Sequence, residues 1–216
     1  VATAQTQPPR PSLLPGQSTW VSHPGNDSGL VVQDLGLGIT PLQLAQSILS
    51  GTGVAISNVQ YSGVTVSAGT FTTTSATILG FSSGIVLSSG NVNSVVGPNI
   101  VDSTSTNNGL GGDPQLQALI PSYTVHDACT LQFDFTTTSL APGQTGAVNF
   151  NFVFTSEEYN EWVNSSFNDV FGFFLNGQNI ALLQNLSTHV AINSVNSGNP
   201  YVVGGGVNSN QFRNND

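Results

Sequence analysis

The feature that most constrains the fold is a strict alternation of side chains over residues 148–155, which read VNFNFVFT. An apolar residue stands at every even position, and polar residues stand at most of the odd ones. This is the period of a half-buried β-strand. We therefore predict a strand whose buried face carries Phe150, Phe152 and Phe154. The nearly continuous apolar run over residues 170–175 predicts a second, more deeply buried strand.

Short segments rich in β-branched residues, separated by glycine and serine, predict further strands along the chain. They lie at residues 54–56, 64–66, 71–73, 78–81, 85–87, 131–135, 179–183 and 190–195. Two helices are predicted. Thr40, Pro41 and Gln43 form the capping-box pattern of one helix that ends near Gly51, and Asp113 precedes the other.

Many short strands with few helices are typical of one class of domain. We predict a mainly β fold, a β-sandwich or jelly roll with one or two short helices packed on it. Residues 1–25 are rich in proline and show no periodic pattern, which predicts an extended N-terminal arm. Residues 26–216 are long enough to bury a core of their own, so we predict a single β-sandwich domain there.

Charge excludes several classes of function. Only 6% of the residues are charged, whereas about 25% is usual. The two basic residues are Arg10 and Arg213, and the net charge is -9. Such a chain has no basic stripe for nucleic acid and no attraction to an anionic membrane surface. It also lacks an apolar run of the ~20 residues that a membrane-spanning helix needs, so we predict no membrane span.

The start of the chain and its cysteine content indicate a compartment. The chain begins at Val1 and contains no methionine, and removal of a signal peptide is the simplest explanation. We therefore expect a secreted or surface-displayed protein. Cys129 is the single cysteine, so no internal disulfide can form, and we predict a buried structural thiol.

The connection between the two apolar strands is the most acidic stretch of the chain, with Glu157, Glu158, Glu161 and Asp169. One interpretation is structural. Ser156 would cap a short helical turn whose first residues are two glutamates, which favours the helix dipole. Trp162 and Val163 would then pack inward.

The functional interpretation of this stretch is a Ca²⁺ site, because calcium binds six to eight oxygen ligands. The predicted ligands are Glu157, Glu158, Asn168 and Asp169, with Asp127 as a remote ligand. A third interpretation is a glycoside hydrolase in which two of these carboxylates act as acid and base. The sequence leaves these alternatives open.

Three Asn-x-Ser triplets are candidate N-glycosylation sites. Their acceptors are Asn26, Asn164 and Asn185.

Several motifs, in order, resemble the choice-of-anchor L domain of bacterial and archaeal surface proteins. The most specific are residues 154–159 (FTSEEY) and 167–177 (FNDVFGFFLNG), followed by 190–196 (VAINSVN). Upstream, residues 54–59, 83–90 and 131–135 also match. The resemblance implies a β-rich fold and a cell-surface location, and it implies no activity. Members usually continue into further strands, so the resemblance also implies that C-terminal strands are missing from this chain.

The functional hypothesis is a non-enzymatic surface protein that assembles into an extracellular filament or sheath. The arm of one copy would lend a strand to the next copy, and Pro8, Pro9, Pro11 and Pro15 would restrict the inserted part to residues 1–7. The alternative is a calcium-dependent module for glycan binding or adhesion. That alternative requires exposed aromatic side chains beside the acidic stretch, where Tyr159 and Trp162 lie.

Overall fold

The computed structural model describes residues 29–49, 53–74, 79–97, 104–137 and 148–213. The described strands are β1 (Leu30–Asp34), β2 (Val54–Ser62), β3 (Ala68–Thr73), β4 (Ser83–Leu87), β5 (Thr130–Thr137), β6 (Val170–Phe171), β7 (Phe174–Leu175), β8 (Gln178–Asn179) and β9 (Val190–Ala191). The described helices are α1 (Pro41–Ile48) and α2 (Pro114–Leu119), with short 3₁₀ turns between some of the elements.

A three-stranded antiparallel sheet carries the first core. Strand β3 lies in the middle, with β1 on one side and β4 on the other. Val32 pairs with Phe71 across β1 and β3, and both side chains are buried against Val92. Partly buried side chains pack against this core: Val96 of the 3₁₀ turn Val92–Val96, and Leu79 and Phe81 of the segment before β4.

Gly69 is the position where β1 and β3 come closest. It pairs with Asp34, and a β-carbon placed on it would run into the backbone carbonyl of Gln33. A backbone atom cannot move aside as the end of a flexible side chain can. This position therefore requires glycine because of space.

A long two-stranded antiparallel ribbon, β2 with β5, forms a separate sheet. Its register runs from Val54 opposite Thr137 to Ser62 opposite Thr130, with an irregularity between Ser57 and Gln60. Within this bulge Asn58 has a positive φ of 51°, and its side-chain amide donates to the carboxylate of Asp134 at 2.6 Å. The apolar side chains of the ribbon are half-buried, and helix α1 packs against β2 and β4.

Helix α1 begins as the sequence predicts. Thr40 accepts a hydrogen bond from the Gln43 backbone, and the Gln43 side chain accepts one from the Thr40 backbone at 2.8 Å, so the capping box is confirmed. Leu44 and Ala45 are fully buried, whereas Leu42 is 45% exposed. The helix ends at Ile48, and Gly51 lies outside the described residues.

The last third of the chain has little regular pairing. Strands β6 and β9 pair over two residues, and so do β7 and β8. Asn176 and Gly177 join β7 to β8 with φ values of 50° and 80°, which are the left-handed angles that a two-residue hairpin turn requires. A second core of Leu183, Val190 and Val195 lies here, with Phe154, Phe171 and Phe212 packed against it.

The predicted fold class is confirmed, since strands in antiparallel sheets dominate and the two helices are short. The closer assignment to a sandwich or jelly roll stays a prediction. The predicted arm, residues 1–25, lies outside the described residues. Among those described, no helix is long and apolar enough to cross a membrane.

Several predicted strands are wrong in detail. Residues 148–155 form no ladder, and Phe152 remains 41% exposed. Residues 65–67 form a 3₁₀ turn, and residues 79–81 are not a strand. In the segment 179–183, the ladder ends at Asn179 and only an isolated bridge from Leu182 to His189 follows. In the segment 190–195, it ends at Ala191 because a turn begins at residue 192. Alternation reports which side chains are apolar, but it does not supply the neighbouring strand that a ladder requires.

Replacing Gly69 with alanine should lower the free energy of unfolding by about 1–3 kcal/mol, the usual cost of forcing an extra group into a packed site. Urea denaturation would measure the loss. Gly204→Ala is the matched control, because no atom lies within 4 Å of a β-carbon there, and it should change stability by less than about 0.5 kcal/mol. Equal stability of the two variants would contradict the close approach of β1 and β3.

Candidate functional site

The acidic loop, residues 156–169, is organised by one serine. The Ser156 hydroxyl donates to the Asp169 carboxylate at 2.6 Å, so the two ends of the loop are joined. The same oxygen accepts from the backbone N–H of Glu158 at 3.0 Å. The loop therefore starts with the serine-capped turn that the structural interpretation predicts.

The middle of the loop turns inward. Trp162 and Val163 are 6% and 1% exposed, and Trp162 meets Phe167 edge-to-face at 5.4 Å. The backbone of Trp162 donates to the carbonyl of Glu158 at 3.1 Å, which forms a single helical turn. The predicted inward packing of these two side chains is confirmed.

Three asparagines lie beside the loop, and we call them the asparagine clamp: Asn193, Asn196 and Asn199. Asn193 and Asn199 bond to the loop directly. The carbonyl oxygen of the Asn193 side chain accepts from the backbone of Asn164 at 2.6 Å. The amide of Asn199 donates to the backbone carbonyls of Glu161 and Val163 at 3.0 and 2.8 Å. The loop is therefore fixed through its main chain.

Asn196 stabilises the segment that carries the other two asparagines. It is fully buried, and its amide donates to the carbonyl of Ile192 at 2.8 Å. Its side-chain oxygen accepts from the backbone N–H groups of Gly198 and Val207 at 3.0 and 3.3 Å. One amide side chain thus satisfies three main-chain groups in a region with few ladders.

Tyr159 joins the loop to the second core. Its hydroxyl donates to the carbonyl of Val195 at 2.7 Å. Its ring packs against Phe212 at 4.9 Å and Phe154 at 6.2 Å. Burial, and secondly the nearby charge of Asp169, raise the pKa of Tyr159 above its ordinary value, so this hydroxyl stays protonated and remains a donor.

The protein changes the ionisation of the Asp169 carboxyl. The residue as a whole is exposed, yet local burial of its carboxyl group raises the pKa, and the hydrogen bond from Ser156 opposes that rise. The raised pKa means that the site favours the neutral acid more than water does. A bound cation would reverse this preference, because positive charge stabilises the carboxylate.

The predicted calcium ligands are only partly brought together. Asp169 closes the loop, and the Asn168 side-chain oxygen accepts from the backbone of Asn193 at 3.2 Å. Asp127 instead accepts from the backbone N–H groups of Asn108 and Leu110, at 3.2 and 2.6 Å, and stabilises a different loop. In the described ranges, no three His, Cys, Asp or Glu side chains are arranged to hold a metal. A calcium site here would also need amide, hydroxyl and main-chain oxygens, which calcium accepts.

The aromatic side chains beside the loop do not form an exposed platform on which a sugar ring could stack. Trp162 is buried, and Tyr159 is half-buried between two phenylalanines with its hydroxyl engaged. The glycan-binding alternative therefore has no specific observation in its favour among the described residues.

The candidate glycosylation sites differ in their surroundings. Asn164 is exposed, at a turn where its φ is 60°. The amide of Asn185 instead donates to the Thr188 hydroxyl at 2.7 Å and stabilises its own turn. Asn26 lies outside the described residues.

Cys129 is half-buried, where the sequence predicts a buried thiol. Its Sγ donates to the carbonyl of Ser67 at 3.2 Å, and the Tyr61 hydroxyl lies 3.5 Å away. Burial raises the pKa of the thiol, although the contact with Tyr61 opposes that effect. The thiolate that nucleophilic chemistry needs is therefore disfavoured.

The asparagine clamp is the part of the site that sequence reasoning missed. A usable signal exists, because asparagine recurs every three residues at positions 193, 196 and 199. A side-chain amide has both donors and an acceptor, so regularly spaced asparagines can hydrogen-bond neighbouring segments that do not pair as strands.

One comparison with known proteins gives a match. The family model described as "Choice-of-anchor L domain" matches residues 32–216, which is most of the chain. Neither the curated proteins nor the solved structures give a match.

The raised pKa of Asp169 predicts a pH dependence. The native state binds this proton more tightly than the unfolded chain does, so stability from this group is present below the ordinary pKa of 3.8 and falls as pH rises through the raised pKa. Asp169→Asn stays neutral, and its stability relative to the wild type should increase from pH 3.5 to 7. Urea denaturation of both proteins at several pH values measures this difference in the free energy of unfolding.

A matched variant sharpens this test. Ser156→Ala removes the hydrogen bond that opposes the shift, so the loss of stability should move to higher pH. A stability of Asp169→Asn relative to the wild type that stays constant or decreases as the pH rises would contradict the assignment.

If the acidic loop binds calcium, millimolar calcium should raise the melting temperature above that in EDTA, because a ligand of the native state stabilises it by mass action. The affinity expected for an extracellular site is roughly 10⁻⁴–10⁻³ M. Asp169→Asn and Glu158→Gln should lose this rise. Asp134→Asn, on β5 opposite the bulge of β2, should keep the calcium-dependent rise in melting temperature. Equal melting temperatures of the wild type in calcium and in EDTA would refute the site.

Proposed function

Because the chain belongs to the choice-of-anchor L domain family, we propose that it is a structural protein of the cell surface that assembles with copies of itself through exposed strand edges. Membership of this family makes the chain a cell-surface-associated protein. The family is one of surface-anchored domains rather than of enzymes, so we propose no reaction.

The observation that carries the proposal is the β2–β5 ribbon. Its strands are nine and eight residues long, and no residue in either is buried. No third strand among the described residues pairs with either outer edge. A two-stranded ribbon alone is marginally stable in water, and open edges offer unpaired N–H and C=O groups to another chain.

The usual protection of such edges is weak here. Native proteins protect exposed edges with lysine, proline or bulges. Neither strand contains lysine or proline, and Asp134 is the one charged residue in the two. The bulge at Asn58 interrupts the ladder at one place. Most of the ribbon is therefore open to strand addition.

The proposed donor is the N-terminal arm of a second copy. Residues 1–7 contain no proline and no charge, so they are able to pair along their whole length. Residues 1–20 would span about 60 Å if fully stretched, at ~3.3 Å per residue, which is enough to reach a neighbouring copy. Donation from each copy to the next gives a head-to-tail contact, and such contacts build filaments when they do not close into a ring.

Deleting residues 1–7 should abolish filaments or sheaths that the intact protein forms at high concentration, as seen by electron microscopy. A chain of unchanged length whose residues 1–7 are replaced by glycine and serine is the matched control, and it should also fail. A synthetic peptide of residues 1–7 should inhibit assembly of the intact chain. If the truncated protein assembles as the intact one does, or if the intact protein stays monomeric, strand donation by the arm is wrong.

A further inference from the structure

Residues 148–155, which we call the phenylalanine segment, have unusual backbone surroundings. They form no helix, strand or turn. No backbone hydrogen bond joins them to any other described residue. Eight consecutive residues therefore present their N–H and C=O groups to water, although their composition is that of a strand.

The segment is held in place by its rings. The ring centroids of Phe150 and Phe173 lie 4.6 Å apart, and those of Phe152 and Phe171 lie 5.1 Å apart. As the residue number rises by two along the segment, the number of its contact residue in the β6–β7 region falls by two. That is the relation of antiparallel neighbours, and here side chains make the contact while the backbone stays unpaired.

The other side of the segment is open. Asn149, Asn151 and Thr155 are exposed. Val153 is 49% exposed and Val148 is 39% exposed. The segment therefore combines an anchored aromatic row with exposed apolar side chains and an accessible backbone, which is the arrangement of an edge strand awaiting a partner.

We propose that the phenylalanine segment pairs with the phenylalanine segment of a second copy, antiparallel and about a two-fold axis. This inference rests on the proposed self-association, of which it names a second surface. The register is centred on Phe152, which faces Phe152 of the other copy.

The alternation of the segment selects this register. With Phe152 at the centre, Phe150 faces Phe154 of the other copy, and Asn151 faces Val153. All aromatic rings stay on one face, where they extend the rows already packed on Phe171 and Phe173. A slip of one residue would turn every ring to the opposite face, so the hydrophobic pattern disfavours it. Aromatic cross-strand pairs add to the stability of the contact.

The phenylalanine segment is a place where two copies of this chain can approach each other without local charge repulsion. The chain carries a net charge of -9, so two copies repel each other over most approaches. The phenylalanine segment contains no charged residue, and it has no proline or glycine to interrupt pairing. It combines β-propensity with neutrality, as self-pairing strands do.

The symmetry of this contact differs from that of arm donation. A two-fold contact closes on itself and gives a dimer. Arm donation is head-to-tail and propagates. Used together, the arm would lengthen a filament and the phenylalanine segment would join two filaments side by side.

The test is a charge swap on exposed positions. The double variant Asn151→Lys/Val153→Lys brings lysines face to face in the proposed register, and Asn151→Glu/Val153→Glu does the same with glutamates. Each variant alone should dimerise at least tenfold more weakly than the wild type in sedimentation equilibrium. An equimolar mixture of the two should dimerise again. The matched control is Val202→Lys/Val203→Lys, on a loop where these valines are 56% and 87% exposed, and it should dimerise as the wild type does.

Hydrogen exchange of the unmodified protein gives an independent readout. Alternate backbone amides within residues 149–155, those that point toward the other copy, should become protected as the protein concentration rises. Protection that is independent of concentration would mean that another part of the same chain covers the segment, and this would overturn the proposal. So would a lysine variant that dimerises as tightly as the control, or a mixture that stays monomeric.

The two proposals fail separately. All of these measurements are made on the chain lacking residues 1–7 as well as on the intact chain. Dimers of the shortened chain support pairing of the phenylalanine segment even if no filament ever forms. Single filaments of the intact chain that never associate laterally, with no dimer of the shortened chain, would overturn this inference and leave arm donation standing.

Discussion

Neutral amide hydrogen bonds are the interaction on which the less regular half of this structure depends. The whole chain has two basic residues, so ion pairs can contribute little. Asparagine amides take their place, from the buried Asn196 to the half-buried Asn108. Asn196 satisfies three main-chain groups, and Asn108 donates to the Ser67 hydroxyl at 3.0 Å and to the carbonyl of Ser89 at 2.8 Å. A side chain that is both donor and acceptor can hold loops in place where no ladder exists.

The acidic loop shows what this interaction permits. Asn193 and Asn199 hold it by its main chain, and Ser156 joins its two ends. The contacts from Asn193 and Asn199 are made by groups that stay neutral at all ordinary pH values, whereas the bond from Ser156 ends on Asp169. The ionisation of Asp169 can then change without removing the scaffold that positions it. This separation of scaffold from charge is what a cation-responsive or proton-responsive loop would require.

Local signals in the sequence were the reliable ones. The capping box at Thr40 and the Asp113 cap of α2 both depend on residues within one helical turn, and both are present. The Asn176–Gly177 turn was equally local and could have been predicted, because few other residues adopt its two left-handed angles. What failed was pairing over distance. The alternation of residues 148–155 located the aromatic row, but the missing ladder partner left no trace in the local pattern.

The same distinction applies to the candidate site. The sequence places Asn168 and Asp169 beside Ser156, because the intervening loop returns to its starting point. It could not separate them from Asp127, which is committed to another loop through Asn108 and Leu110. The asparagine clamp escaped notice because its partners in the loop lie 29 to 38 residues away in the chain. Amide groups carry no charge pattern that would point to such partners.

The half-buried thiol of Cys129 has a consequence for a protein displayed at high density. Thiols on crowded neighbours exchange into disulfides when they are exposed and ionised. Here the Sγ is occupied by the carbonyl of Ser67 and lies beside the Tyr61 hydroxyl, and its ionisation is suppressed. Copies packed side by side in an oxidising medium would therefore resist accidental covalent linkage. Assembly of a surface layer from this chain would then stay reversible with respect to disulfide formation at Cys129.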